Sequence, residues 1–502
     1  MTRPYSSVST MRTLSRIVAL TLIVAEPAAA QKPSSPRASL DRRVIPTPGK
    51  NPELHVPTWT KVALSNGAQL VVLERHSLPL VSVQINFIGG ANQYEAATKT
   101  GLAQFVANQM LEGTSHRTGE QIVNDLQMLG ANFNPPPLIS GESGRVTFTS
   151  TKDKLASTLA VVADIIENAT FPQDALERYR ARTLVTLTQA RDRTGSINAV
   201  VFPKVVYGTD HPYGRSMSEE SVKAITRDDL ASLYKAYFQP GHAVVTVVGD
   251  VKPDEAKRVV EQAFADWKTG GSMPTFTYPS LPAPTPTTIY LVDKPGAAQS
   301  TFRIGEVGPP RGTPDYYAIR VMNEMLGVLF QSRLNRNIRE EKSYSYGVGS
   351  GFSFGRGPGA FFAGGDIMTA KNDSALIEFM KELRDIRGAR PPSDEEMAQA
   401  KASLVQSLPE SFETLSGVNT NVSSIYQQGL PEDYYTQFVR AVGAVTKDDV
   451  VRVAQKYIDP EHLAIVIVGD REKIEGPLMA TKIAPIVRLD VNGNPIADKV
   501  RP

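Results

Sequence analysis

The chain has 502 residues, of which 41% are hydrophobic and 21% are charged, and this composition is typical of a globular protein with about two to four domains. It carries 54 basic and 52 acidic side chains, and the excess of two positive charges lies within residues 1–30. The balanced remainder argues against a broad surface for nucleic acid or anionic membranes. The absence of cysteine excludes disulfides, a thiol nucleophile and a lipid-modified cysteine.

Residues 1–30 have the pattern of a secretory signal peptide. Two arginines precede a short apolar run at 17–25, and three alanines at 28–30 form a small-residue cleavage site. A membrane anchor is the alternative, but this run is too short to cross a hydrocarbon layer of about 30 Å. We therefore predict an exported, periplasmic protein without a transmembrane anchor. The Pro-, Ser- and Arg-rich residues 31–56 are predicted to be an extended N-terminal segment.

The next segment, 57–268, mixes strand and helix patterns without strict alternation. Val62–Glu74 and Val81–Ile88 alternate apolar and polar residues, which predicts a pair of adjacent strands. Periodicity and capping residues predict helices and strands in the order helix 100–112, helix 118–129, strand 145–151, helix 152–168, helix 172–191, helix 226–237 and strand 243–248. This order favours an α+β fold, an α/β sandwich with a mixed or antiparallel sheet covered by helices on one side.

The second part of the chain repeats the first at a constant offset of 220 residues. Residues 224–229 match 444–449, and residues 237–242 match 457–462. A constant offset over several segments indicates duplication, so two homologous halves are expected.

The boundaries of the second half follow from composition. Residues 269–288 are rich in Gly and Pro and are predicted to link the halves. The second half then covers 289–475, and residues 476–502 are predicted to be a C-terminal tail.

Several short motifs occur in a characteristic order along the chain. They are Leu64-Ser-Asn-Gly67, Gly89-Gly90, Gly101-Leu-Ala103, Glu112-Gly113-Thr114, His211-Pro-Tyr-Gly214 and Val248-Gly-Asp250. Together they resemble the pitrilysin/insulinase-type zinc peptidase superfamily, which includes the mitochondrial processing peptidase, over about residues 57–475. The resemblance implies a metallohydrolase clamshell of the processing-peptidase type.

The helix predicted within residues 101–112 has lost the chemistry of this family. Active members carry H-x-x-E-H there, in which two histidines bind zinc and the glutamate is the general base. The resemblance places these three residues at Gln104, Ala107 and Asn108. A more distant glutamate, the third protein ligand, falls at Gln189 or its neighbour Thr188.

We therefore expect no metal and no catalytic residue in this chain. An amide is a poor zinc ligand and alanine accepts no proton. No two of the six histidines lie within five residues of each other, so the motif does not occur elsewhere. Gln104 and Asn108 lie one helical turn apart and either bind a substrate backbone or bond with each other as a polar patch.

The second half keeps a different family signature. Residues 338–346 resemble the family's R-x-x-x-x-x-x-Y motif, with Arg339 and Tyr346 at the positions of its arginine and tyrosine. In the family these residues complete the active site across the chamber, where a guanidinium and a phenol stabilise a developing oxyanion. The alternative is that Arg339 pairs with Glu340 or Glu341 at the surface and that Tyr346 is an ordinary strand residue.

These features predict a non-catalytic subunit of an exported heterodimeric zinc metallopeptidase, inactive on its own. The resemblance implies a partner subunit of the same family that carries zinc, and peptides as substrates. One alternative is a scaffold or peptide-binding protein of the same fold with no role in proteolysis. A third is an active peptidase with an unrecognised site, which the scattered histidines disfavour.

Overall fold

The computed structural model of the protein describes residues 54–133 and 137–496. The predicted signal peptide, and all but the last three residues of the predicted segment 31–56, lie outside the described residues.

The N-terminal half is built on one seven-stranded mixed sheet. Its strands are β1 (Thr60–Ala63), β2 (Gln69–Glu74), β3 (Leu80–Ile88), β4 (Asn132–Phe133), β5 (Leu138–Ile139), β6 (Ser143–Thr151) and β7 (Ala243–Gly249). They lie in the order β1-β2-β7-β3-β6-β4, and β5 also pairs with β6. The β2–β7 pair is parallel, and the other pairs are antiparallel.

Two predictions about this sheet are wrong. The segment predicted as one strand from Val62 to Glu74 is a hairpin, because a turn with Gly67 at φ 96° reverses the chain between β1 and β2. The two predicted strands are also not neighbours, since β7 lies between β2 and β3. Every residue of β7 is buried, and a strand that is buried on both faces takes a central position in a sheet.

The helices of this half agree with the predicted ones to within three residues at each end. They are α1 (Ala91–Tyr94), α2 (Leu102–Gln109), α3 (Gly119–Met128), α4 (Leu155–Asn168), α5 (Gln173–Ala190), α6 (Thr194–Tyr207), α7 (Glu219–Ala224), α8 (Arg227–Tyr237) and α9 (Pro253–Ala263), of which α1, α6, α7 and α9 were not predicted. Thr118 and Thr226 cap α3 and α8 as expected, each accepting a bond from a backbone N–H three residues on.

The C-terminal half repeats this architecture. Its strands are β8 (Thr288–Asp293), β9 (Gln299–Val307), β10 (Ser345–Phe352), β11 (Ala360–Met368), β12 (Ala464–Gly469) and β13 (Ile486–Leu489), in the order β10-β11-β9-β12-β8-β13. The parallel pair β8–β12 corresponds to β2–β7, and the antiparallel pair β9–β12 corresponds to β3–β7. The duplication inferred from the sequence is therefore visible in the strand order.

The helices of the C-terminal half are α10 (Tyr316–Asn323), α11 (Asn372–Arg384), α12 (Asp394–Glu410), α13 (Leu415–Gln428), α14 (Tyr434–Ala444), α15 (Lys447–Tyr457) and α16 (Arg471–Ala480). The half continues through α16 and β13 to Leu489, into the residues predicted to be a tail. The predicted linker 269–288 contains no helix and no strand before β8 begins at its last residue.

The two halves exchange one helix each. Helix α6 of the N-terminal half packs on β9 and β12, while α13 of the C-terminal half packs on β3 and β7. Apolar side chains of α6, including Val201 and Phe202, form a core with Val466 and Val468 of β12. Each sheet is thus covered on both faces, by its own helices and by the exchanged helix, which corrects the prediction of helices on one side.

Candidate functional site

The start of α2, the helix predicted to correspond to the family's zinc helix, is fixed by a partly buried carboxylate. Glu95 accepts hydrogen bonds from the backbone N–H groups of Gly101 (3.2 Å) and Ala103 (2.5 Å). Burial raises the pKa of the Glu95 carboxyl. Gly101 has φ 104°, a conformation that strains any residue with a Cβ, and Met217 fills the space where a Cβ would lie.

Gln104 and Asn108, which are predicted to occupy the zinc-ligand positions, lie one turn apart on one face of α2. Gln104 is exposed, Asn108 is partly exposed and Ala107 is buried. The Gln104 amide donates to the Tyr179 hydroxyl on α5 (3.3 Å), and the Asn108 amide donates to the backbone carbonyl of Gln104 (2.9 Å). Both amides therefore form hydrogen bonds within the chain, as the polar-patch alternative predicts.

Helix α5 lies next to α2, and the residue of α5 that bonds to Gln104 is Tyr179 rather than Gln189. Gln189 is exposed near the end of α5, and no hydrogen bond joins it to Gln104 or Asn108 within the described chain. Ten helical residues, or about 15 Å of axis, separate Tyr179 from Gln189. The correspondence of Gln189 with the third zinc ligand stays a prediction.

Irregular backbone surrounds Arg339 and Tyr346. Arg339 lies in a π-helical turn, Asn335–Glu341, and Tyr346 lies in a β-bulge of β10 between Ser345 and Val348. Isolated π-turns and bulges occur often at functional sites, because they redirect side chains that a regular element would hold elsewhere. The sequence identified both residues but gave no sign of these distortions.

In the single chain, the Tyr346 side chain is exposed and the Arg339 side chain is partly exposed. Tyr346 is 88% exposed on β10, an edge strand of the C-terminal sheet. The Arg339 guanidinium lies over the Phe330 ring, with its Cζ 4.4 Å from the ring centre, and its Nε is 3.4 Å from a carboxylate oxygen of Glu340. Phe330 is itself 59% exposed. The pairing with Glu340 is the one that the surface alternative predicts.

Two cavities lie along the face of the C-terminal sheet that α6 covers. One, of about 550 Å³, is lined by both halves, including residues 140–143, α6 and the loop between β10 and β11. The other, of about 640 Å³, is lined by α6, β9, β10 and β11, and Tyr346 borders it. Arg303 and Phe362 line both cavities, whereas Gln104 and Asn108 line neither.

Glu142 joins the halves at the first cavity, a role that sequence reasoning missed. Its carboxylate accepts from the hydroxyls of Tyr213 and Tyr278 and from the backbone N–H groups of Arg356 (2.6 Å) and Gly357 (3.1 Å). Burial, reinforced by the bond to Glu142, raises the pKa of both tyrosines. Tyr213 belongs to the His-Pro-Tyr-Gly motif, which was the only sequence signal for this cluster.

His211 of the same motif is structural. Its ring is buried and stacks between Tyr207 and Tyr278, with centroid distances of 5.2 and 5.8 Å. Burial lowers the pKa of His211, which favours the neutral imidazole. Across residues 54–133 and 137–496, no three His, Asp or Glu side chains are grouped as they would be around a metal ion.

None of the helices in these two ranges combines the length and the hydrophobicity that crossing a bilayer requires.

Two family models match the chain in succession. The insulinase (peptidase family M16) model matches residues 70–206, and the peptidase M16 inactive-domain model matches residues 224–404. The chain belongs to the M16 peptidase family. The inactive-domain match fits a member that is inactive on its own, which Gln104, Ala107 and Asn108 predict at the expected positions of the zinc ligands and general base.

Curated M16 relatives include both zinc proteases and non-peptidases. An uncharacterized zinc protease of Rickettsia felis is 24% identical over 404 residues, covering 78% of this chain and 93% of the relative. The non-peptidase homolog YmxG of Helicobacter pylori is 21% identical over 418 residues, covering 81% and 94%.

Solved structures show the same M16 fold. The peptidase M16 inactive domain of Pseudomonas fluorescens matches with a TM-score of 0.75 and 24% identity, over 82% of this chain and 98% of that one. The first half of the periplasmic protease PqqL of Escherichia coli matches with a TM-score of 0.67 and 16% identity, over 84% and 96%. These matches confirm the predicted two-half architecture.

Proposed function

We propose that this chain is the non-catalytic subunit of an exported heterodimeric zinc metallopeptidase. An M16 partner with an intact H-x-x-E-H motif would hold the zinc ion and the general base. This chain would complete the peptide-cleavage chamber and bind the substrate. The observation that carries the proposal is the pair Arg339 and Tyr346, which lies in distorted backbone with Tyr346 exposed, in a chain predicted to lack every zinc-site residue.

The residues of this chain do not fit a zinc ion. The Gln104 and Asn108 amides are already hydrogen-bonded, and Ala107 offers no acceptor. Zinc lowers the pKa of bound water from about 15.7 to about 7, and nothing at these positions replaces that effect. We therefore assign hydrolysis to the partner and positioning to this chain.

The proposed role of the pair is electrostatic. Attack on a peptide carbonyl creates an oxyanion, which a guanidinium and a phenolic O–H stabilise when the site excludes water. Tyr346 stands on the open edge of the C-terminal sheet, where an extended peptide can also add as a further strand. To act, Arg339 must leave Glu340, and the weak, exposed contact of 3.4 Å presents little resistance.

The match to one half of a larger protease supports a chamber built from two units. The chain covers 96% of a structure described as the first half of a periplasmic protease, so we expect a complete chamber of that type to need a second unit of similar size. Export follows from the predicted signal peptide, and the periplasm is the compartment we propose.

The test is turnover of a fluorogenic peptide by this chain reconstituted with an exported M16 subunit that carries H-x-x-E-H. Arg339→Ala should reduce turnover by about 10²–10³-fold, the usual cost of removing one oxyanion donor. Arg336→Ala, on the same π-turn and exposed, is the matched control and should leave turnover unchanged. Gel filtration checks that both variants still form the dimer.

Unchanged turnover with Arg339→Ala in an intact dimer would refute the role of Arg339. The surface pairing of Arg339 with Glu340 would then stand, and it favours the second candidate function, a scaffold or peptide-binding protein with no part in proteolysis. That alternative predicts peptide binding by the chain but no effect on a partner's turnover.

A further inference from the structure

Arg303 is a cation without a counter-ion in the described chain. It lies on β9, with its guanidinium Cζ 4.6 Å from the ring centre of Phe362 and 5.7 Å from that of Phe202. Its guanidinium forms no hydrogen bond and no ion pair with any residue of 54–133 or 137–496, whereas its backbone is paired in the sheet. Burial lowers the pKa of Arg303, as expected for a desolvated cation, although a guanidinium stays charged at neutral pH.

The position of Arg303 is central to the space between the halves. The cavities of about 550 and 640 Å³ both border on Arg303 and Phe362, so the guanidinium is accessible from either side. Gly349, Gly364 and Gly365 also line the larger cavity, next to Arg303.

The other charged groups of these cavities already have partners. Glu142 accepts from four donors, which uses the capacity of a carboxylate. Arg356 donates to the carbonyl of Gln427 at the end of α13. Asp366, in the larger cavity, accepts from the Thr301 hydroxyl at 2.6 Å. Of the two arginines that line these cavities, Arg303 is therefore the cation left to meet an anionic ligand.

We propose that Arg303 binds a carboxylate of the peptide substrate, from its C-terminus or from an acidic side chain. A guanidinium presents paired N–H donors that match a carboxylate, and such bonds are stronger in a partly desolvated site. The Phe202 and Phe362 rings hold the guanidinium plane and offer apolar contact to the neighbouring part of the peptide. The inference rests on the proposed function, since it specifies which peptides the chamber selects.

The experiment measures peptide binding to residues 31–502 by fluorescence anisotropy, without a partner. Three N-terminally labelled peptides of one sequence are compared: one with a free C-terminal carboxylate and no acidic residue, its C-terminal amide, and the amide with one central Glu. The wild-type chain should bind a carboxylate-bearing peptide about 10- to 100-fold more tightly than the neutral amide. Preference for the first or the third peptide identifies the source of the carboxylate.

Variants connect the preference to this residue. Arg303→Gln should abolish it, and Arg303→Lys should retain part of it, because the charge remains without the paired donors. Arg440→Gln, an exposed arginine on α14, is the matched control and should retain all of it. Thermal unfolding checks the fold of each variant. If Arg303→Gln does not fold, loss of part of the preference in Arg303→Lys decides.

Two results would overturn the assignment: no carboxylate preference in the wild-type chain, or a preference that survives in folded Arg303→Gln. Neither bears on turnover in the reconstituted pair, which depends on Arg339. Dependence of turnover on Arg339 together with indifference to Arg303 would reject only the carboxylate site. Unchanged turnover in Arg339→Ala, together with a carboxylate preference that is lost in Arg303→Gln, would keep the site, refute the role of Arg339 and favour a peptide-binding protein with no part in proteolysis.

Discussion

Asn198 and Asn419 each bond an exchanged helix to the sheet of the other half, Asn198 to the C-terminal sheet and Asn419 to the N-terminal sheet. Asn198 of α6 donates to the backbone carbonyls of Thr301 and Val466, both at 3.1 Å, in the C-terminal sheet. Asn419 of α13 donates to the carbonyls of Ser82 (2.9 Å) and Thr246 (3.2 Å) in the N-terminal sheet. The acceptor strands β9 and β12 correspond to β3 and β7, so the pair repeats the internal duplication and joins each exchanged helix to the other half.

Removal of either amide should weaken the contact between the halves. Asn419→Ala leaves two buried carbonyls without this donor, and each hydrogen bond of this type contributes about 0.5–1.5 kcal/mol. We expect the free energy of unfolding in urea to fall by about 1–3 kcal/mol, and likewise for Asn198→Ala. Thr420→Ala, exposed beside Asn419, is the control and should change stability by less than about 0.5 kcal/mol. Equal stabilities of Asn419→Ala and Thr420→Ala would contradict this role.

Glu142→Gln should destabilise the same interface through a different mechanism. An amide has one acceptor oxygen and directs its N–H donors at the Tyr213 and Tyr278 hydroxyls or at the backbone N–H groups. Unsatisfied donors cost about 1–3 kcal/mol, measurable by denaturant unfolding. Protease sensitivity of the 269–288 linker should rise as well, because Tyr278 loses its acceptor. Glu413→Gln, an exposed carboxylate, serves as the control; a linker equally resistant in both variants would count against the prediction.

Zinc content tests the assignment of α2. Purified residues 31–502 should retain no zinc after dialysis with a weak chelator. Gln104→His combined with Asn108→His should confer zinc binding, because the two positions lie at i and i+4 on an accessible face of α2. Metal analysis of both proteins is the measurement. About one zinc per wild-type chain would reveal an unrecognised site and replace the non-catalytic subunit with an active peptidase.

Glu306 should make stability depend on pH. Burial, with Asp459 nearby, raises its pKa from 4.5 to about 7, so the native chain holds this proton to higher pH than the unfolded chain. Between these values the unfolded state binds fewer protons, and the free energy of unfolding therefore falls as the pH rises. Glu306→Gln removes this loss of stability with rising pH. It also keeps a side-chain oxygen to accept the bond that the Asp459 N–H donates to Glu306 Oε1 at 2.6 Å.

The stability gained by Glu306→Gln over wild type should therefore increase from about pH 4.5 to about pH 7 and then level off. Denaturant unfolding across this range is the measurement. Glu461→Gln, at an exposed carboxylate on the loop that contains Asp459, is the control variant. A pH-independent difference for Glu306→Gln would show that its carboxyl titrates normally.

The sequence by itself determined the features that depend on local chemistry. Thr118 and Thr226 predicted the starts of two helices, because the side-chain oxygen that caps a helix accepts a hydrogen bond from a backbone N–H only three residues away. The 220-residue offset predicted the duplicated halves, and Gln104, Ala107 and Asn108 predicted the loss of zinc chemistry, since ligand identity is a property of single residues.

Only the tertiary structure decided what depends on contacts distant in sequence. The insertion of β7 between β2 and β3 and the exchange of α6 and α13 follow from burying apolar faces that have no partner nearby in the chain. A periodic pattern shows that a face is buried but not what covers it. For the same reason the sequence did not point to Glu142 or Arg303. Residues from distant segments donate the hydrogen bonds that Glu142 accepts, and no described residue forms an ion pair with the Arg303 guanidinium.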